Sequence, residues 1–135
     1  MGSTMKNKIH TIEVENNETQ SVEKIIEKIR ENKIIYVKNK FYKDKLDSIT
    51  ENGPAIILNS SGSSGKPRKC FHHLDNLKLS AFTSGQWLIE QGFDLQNCLI
   101  LNTLPLNHIS GLMPIFRSQT WGCDCLLYTS DAADE

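Results

Sequence analysis

The residues best equipped for chemistry stand together in one stretch, Ser60-Ser61-Gly62-Ser63-Ser64-Gly65-Lys66-Pro67-Arg68-Lys69. Glycines let the backbone turn several N–H groups toward one point, which makes a nest for an anion. Four serine hydroxyls add donors that rotate to suit a phosphate. Lys66, Arg68 and Lys69 place three positive charges within four residues. Arginine can hold phosphate oxygens in a two-pronged fork. The combination suits a polyphosphate. Spacing excludes two common glycine-rich loops. G-x-x-x-x-G-K-[ST] would need glycine where Ser60 stands, and serine or threonine where Pro67 stands. G-x-G-x-x-G is not present either.

A second stretch, Leu104-Pro105-Leu106-Asn107-His108-Ile109-Ser110-Gly111-Leu112, carries an imidazole beside a proline-containing turn. Histidine changes charge near neutral pH and offers one or two donors. His72 and His73 follow Cys70, so a mixed Cys/His metal site is conceivable, but no second ligand pair has recognisable spacing. The two histidines read better as surface residues at the start of a helix.

The elements around these stretches alternate. Ile9, Ile12 and Val14 allow a short strand at most. Val22, Ile25, Ile26 and Ile29 form one apolar stripe, which predicts a helix over 19–32 with Thr19 or Ser21 as its cap. Residues 34–37 and 55–58 read as strands, separated by a short helix or turn over 41–50 and a break at Asn52-Gly53-Pro54. A second helix is expected over 75–91, capped by Asp75 and ended by Gly92, with Leu77, Ala81, Ser84 and Leu88 on one face. Then come a strand over 98–101, a helix over 111–121 with Pro114 in its first turn, and a strand over 124–128. Trp87 and Trp121 are expected in the core, and lysine-rich 38–45 on a solvated face. The fold class is α/β, with strands alternating with helices. Both chemical stretches follow a strand, and ligands in such sheets gather at the carboxyl ends of strands. If the strands at 55–58 and 98–101 run parallel, both loops open on one edge, and residues 60–68 run from strand to helix.

Composition narrows the classes. The 135 residues are 39% apolar and 23% charged, with a net charge of −1, a globular balance without the basic excess that nucleic acid attracts. No membrane span or secretory leader is visible, so a cytoplasmic protein is expected. Cys70, Cys98, Cys123 and Cys125 are then expected as reduced thiols.

The first stretch resembles the phosphate loop of the adenylate-forming enzymes, usually Thr-Ser-Gly-Ser/Thr-Thr-Gly-x-Pro-Lys. Ser60 and Ser64 keep the hydroxyls of its two threonines, Arg68 keeps the charge of its lysine, and Lys69 replaces a common glycine. The second stretch resembles the Leu-Pro-Leu-Phe-His-x-x-Gly-Leu segment of the acyl- and aryl-CoA ligases, with Asn107 for the aromatic residue. The pairing most resembles the o-succinylbenzoate–CoA ligase branch of quinone biosynthesis, and residues 57–123 carry the likeness.

That resemblance implies part of the large N-terminal domain of such an enzyme, over residues 1–124. It implies ATP with Mg²⁺, a small carboxylic acid and CoA as partners, and neither nucleic acid nor a membrane span. Ser60, Ser61, Gly62, Ser63, Ser64, Gly65, Lys66 and Arg68 would bind the ATP phosphates. His108, Ser110 and Gly111 would line the acyl substrate. The family's adenine, ribose and adenylation-lysine motifs are not found in this stretch, so no catalytic residue is assigned and the chain alone is expected to make no acyl-CoA. Residues 125–135 depart from the family pattern and read as a non-native tail. A nucleotide-binding remnant without ligase activity and a plain structural α/β piece are the alternative classes.

Overall fold

In the computed structural model, the described residues are 5–15, 18–60 and 68–127. Strand β1 (Asn7–Val14), helix α1 (Thr19–Arg30) and strand β2 (Ile34–Asn39) make a β–α–β unit, with β1 and β2 parallel from Ile9↔Ile34 to Val14↔Asn39. Two-residue β3 (Ser48–Ile49) returns to the far edge, antiparallel to β1. Strand β4 (Ala55–Asn59) joins β2 in parallel, and β5 (Lys69–His73) pairs antiparallel with β4. The sheet order is therefore β3-β1-β2-β4-β5.

Helix α2 (Leu74–Glu90), a short 3-10 turn (Leu95–Asn97), β6 (Leu99–Asn102), helix α3 (Ile109–Trp121) and β7 (Asp124–Leu127) complete the described chain. β6 and β7 form a separate two-stranded parallel sheet joined through α3. Among the described residues, no helix is long and apolar enough to cross a membrane.

Alternation along the strands builds two apolar layers. Ile12, Val14, Ile35, Val37, Ile56 and Leu58 share a core with Ile25 of α1, with Leu74, Leu77 and Ala81 of α2, and with Leu112, Ile115 and Phe116 of α3. Ile9, Ile34, Tyr36 and Ile57 form a smaller cluster with Leu46, Ile49 and Phe71. Val22, Ile26 and Ile29 of the α1 stripe pack on the larger core from half-buried positions.

Several expectations change. β1 runs eight residues, not a short strand. Neither Thr19 nor Ser21 caps α1; Glu18 is the N-cap and makes no side-chain cap bond. Residues 41–50 hold β3 and irregular chain in place of a short helix. Asp75 sits in the first turn of α2, behind the N-cap His73. Helix α3 starts two residues early, so Pro114 lies in its interior, not its first turn. Trp87 is exposed, because α2 buries the narrow stripe Leu74, Leu77, Ala81 and Gly85. Lys38 is buried, its ammonium held by the Tyr42 carbonyl at 2.6 Å and Glu13 at 3.0 Å. The strand expected over 124–128 is found as β7, where Cys125, Leu126 and Leu127 pair with Ile100, Leu101 and Asn102.

Gly85 lets α2 meet α3 closely. A Cβ there would stand 2.5 Å from Trp121 Nε1, and that indole N–H donates to the Ala81 carbonyl at 2.8 Å. Alanine in a helix interior gains about 1 kcal/mol over glycine. Overpacking costs about 1–3 kcal/mol and the displaced hydrogen bond about 1 kcal/mol more. Gly85→Ala therefore destabilises by a net of about 1–3 kcal/mol, read as a lower urea midpoint at unchanged slope. A midpoint equal to or above the parent's contradicts this packing.

Candidate functional site

β4 leaves the sheet at Asn59, and β5 enters it at Lys69, directly opposite. Two bonds join the ends of the intervening loop. The Ser60 N–H donates to the Arg68 carbonyl at 2.7 Å, and the Arg68 N–H donates to Ser60 Oγ at 3.3 Å. Ser61, Gly62, Ser63, Ser64, Gly65, Lys66 and Pro67 lie outside the described residues. The loop connects strand to strand. The expected strand-to-helix passage is corrected by β5, whose mostly polar sequence suits an edge position. His72 accordingly belongs to a strand, while exposed His73 ends that strand and is also the N-cap of α2, so the helix-start reading holds for His73 and is corrected for His72.

The second loop, residues 103–108, is folded flat on the start of α3. The His108 N–H donates to the Pro105 carbonyl at 3.2 Å. Asn102, almost fully buried, donates from Nδ2 to the Gly111 carbonyl at 2.7 Å and accepts from the Leu104 N–H at 3.2 Å. A Cβ on Gly111 would collide with the Pro105 carbonyl and stand 2.6 Å from the Leu104 oxygen. Gly111 thus serves the approach of two backbones and does not line the cavity described next.

The two loops meet. A cavity of about 380 Å³ is lined by Leu58, Asn59 and Ser60 at the end of β4, by Cys70 and His72 on β5, and by His108, Ile109 and Ser110 at the start of α3. This holds although β4 and β6 belong to different sheets, so parallel pairing is not what brings the loops together. The first N–H groups of a helix lack intrahelical acceptors and carry partial positive charge, which favours an anion. Among the described residues the His108 imidazole makes no hydrogen bond; only its backbone ties it to its own loop. Burial pushes the His72 imidazole below its ordinary pKa, which keeps it neutral near pH 7.

Arg68 closes the loop through its backbone, and Lys69 is engaged elsewhere, 2.7 Å from Asp44 Oδ2. Sequence reasoning did not select Asn102, or His72 as a cavity residue. The Cys70–His72 alternation was the available signal for the second, since residues two apart share a strand face. Nothing local marks Asn102. Among the described residues, no group of three or more His, Cys, Asp or Glu could hold a metal ion. A wider cavity of about 540 Å³, lined by Ile26, Ile29, Phe82 and Phe116 among others, lies between the helices and includes neither loop.

No family model matches the chain. The curated 2-succinylbenzoate–CoA ligase of Bacillus licheniformis is 33% identical over 91 residues, which are 67% of this chain and 18% of that enzyme. The o-succinylbenzoate CoA synthetase of Bacillus subtilis, solved with the acyl-adenylate OSB-AMP, matches 96% of this chain and 46% of its own, with a TM-score of 0.58 and 18% identity. The chain resembles an adenylate-forming enzyme of the o-succinylbenzoate–CoA ligase type. It shares the α/β fold of part of that synthetase. The same synthetase bound to ATP and a magnesium ion gives a TM-score of 0.56 at 17% identity. The chain thus spans about a fifth of the curated relative and under half of the solved one.

A depressed histidine pKa has a stability consequence. The unfolded chain binds the proton more readily than the folded one, so stability is lost as pH falls below about 6.5. His10, also pushed down by burial, adds in the same sense. The His72→Gln variant flattens this acid-side slope, and the His72 ring resonances of the parent titrate below 6.5. Titration at or above 6.5 contradicts the burial of this ring.

Proposed function

We propose that the chain carries the phosphate-binding and acid-binding segments of an ATP-dependent acid–CoA ligase whose acid is o-succinylbenzoate. The observation that carries this reading is the single cavity shared by the end of β4 and the start of α3. A triphosphate held by residues 60–68 and a carboxylate held at His108 would lie side by side there. The 33% identical 2-succinylbenzoate–CoA ligase supports the choice of acid.

In the first step a carboxylate oxygen attacks the α-phosphorus of ATP, and pyrophosphate leaves. The thiol sulfur of CoA then attacks the acyl carbon, AMP leaves and the thioester forms. Bringing two anions together is the obstacle in the first step, so the chain's task is alignment and neutralisation. Ser60 to Arg68 hold the β- and γ-phosphates through backbone N–H groups, hydroxyls and the Lys66 and Arg68 charges. His108 donates a hydrogen bond to the carboxylate, with the first turn of α3, including Ser110, adding its positive end. Mg²⁺ would come with the triphosphate, held by phosphate oxygens and water and not by these cationic side chains, and would supply further neutralisation of phosphate charge.

Separating the two halves of the cavity tests the reading. Ser64→Ala with Arg68→Ala weakens Mg·ATP binding by about tenfold to a hundredfold, the range for lost hydrogen bonds to a charged group. His108→Ala leaves Mg·ATP binding near the parent value and weakens o-succinylbenzoate binding by at least about tenfold. Calorimetric titration of each ligand reads both. Mg·ATP binding unchanged in the double variant, or equal losses of both ligands in His108→Ala, overturns the assignment.

A further inference from the structure

The stem of the 60–68 loop is tied to a part of the chain that takes no part in the proposed chemistry. Tyr36, in the middle of the sheet, is fully buried. Its hydroxyl donates to Asp44 Oδ2 at 2.8 Å and accepts from Asn59 Nδ2 at 2.7 Å. The same Asp44 oxygen holds the Lys69 ammonium at 2.7 Å, and that ammonium stands 5.9 Å from the centre of the Tyr36 ring. Asn59 and Lys69 are the last residue of β4 and the first of β5, and they face each other across the strand pair. Both uprights of the loop are therefore fastened to one phenol–carboxylate pair.

We propose that Tyr36, Asp44 and Lys69 are positioning residues that clamp this stem, and that Lys69 is withdrawn from the loop's ligand-facing cations to do so. The chemistry of each member fits. Asn59 Oδ1 is buried without a partner among the described residues, so the Tyr36 hydroxyl is the described tether of that amide. Leaving the amide unpaired as well would cost the desolvation of a second buried polar atom. A phenol buried next to a carboxylate stays protonated, and its pKa is pushed up to about 12, chiefly by burial. Asp44 is held below its ordinary range by Lys69 and then by Tyr36, so it stays charged. Donor and acceptor roles are thus fixed across the neutral range. The sequence counts Lys69 with Lys66 and Arg68. The clamp reduces the available side-chain cations to those two, and it holds the Ser60–Arg68 backbone pair in register.

The geometry carries the clamp, while its consequence for phosphate rests on the nucleotide reading, so the test has two arms. In the first, amide hydrogen exchange is followed without ligand. Tyr36→Phe and Asp44→Asn each speed exchange at Ser60 and Arg68 roughly tenfold, while Ile35 and Val37 in the central strand keep their protection. Lys69→Met does the same, and Lys69→Arg, which keeps the charge, restores the parent rate. Unchanged exchange at Ser60 and Arg68 overturns the clamp. Should Tyr36→Phe also expose Ile35 and Val37, the Lys69→Met and Lys69→Arg pair at the partly exposed end decides the matter. In the second arm Mg·ATP binding is measured by calorimetry. Weaker binding by Lys69→Met, with recovery in Lys69→Arg and protected Ile35 and Val37, supports the link to phosphate. Faster stem exchange with Mg·ATP affinity unchanged overturns that link. A parent chain with a protected stem and no affinity for Mg·ATP overturns the nucleotide reading instead of the clamp.

Discussion

Gly111 has room for a hydrogen and nothing larger, because the backbone of Pro105 and Leu104 lies against its Cα. Much of the site follows from that contact. It presses the 103–108 loop onto the first turn of α3, and Asn102 latches the arrangement from the buried side. With the loop held so, His108 and Ser110 face the cavity beside Ser60. A side chain at 111 would lift the loop and move the imidazole away from the stem of the 60–68 loop. The two strands that feed these loops are in different sheets, so this packing, together with the α3 core residues Leu112, Ile115 and Phe116 beneath, aligns them.

The two layers of the large sheet divide the work. The helix-covered side carries most of the apolar burial and presents Leu58, Cys70 and His72 toward the cavity. The other side is smaller and mixes apolar residues with buried polar ones, Tyr36 and Lys38 among them. Buried polar groups cost stability unless paired. Here their partners are Asp44, Asn59, Glu13 and the Tyr42 carbonyl. Residues 42–44, without regular structure of their own, therefore satisfy groups the sheet could not satisfy alone.

Where local pattern decides an element, the sequence was enough. The stripe Val22, Ile25, Ile26 and Ile29 and the runs at 34–37 and 55–58 give α1, β2 and β4 nearly to their observed ends. Gly92 and Gly122 end their helices with positive φ, as a terminal glycine does. The edge strands β3 and β5 were not legible, because two residues and a short polar run form strands only when a neighbour offers its open ladder. Trp87 misled through its type, since α2 buries the stripe Leu74, Leu77, Ala81 and Gly85 and Trp87 lies off it. Of the candidate site, Ser61 to Pro67 lie outside the described residues, and Ser60 and His108, which line one cavity, were singled out by residue type and spacing. Asp44, Asn102 and the cavity face of His72 were not, because each owes its place to tertiary contact.

The proposed chemistry requires the end of β4 and the start of α3 to enclose one anion site. Backbone amide shifts of the labelled chain, followed through a Mg·ATP titration, test it most directly. Saturable shifts are expected at Ser60, Arg68, Cys70, His108 and Ser110, with Ile29, Phe82 and Phe116 unmoved. Shifts centred instead on the wide cavity between the helices, or a titration that moves none of the five, would contradict it.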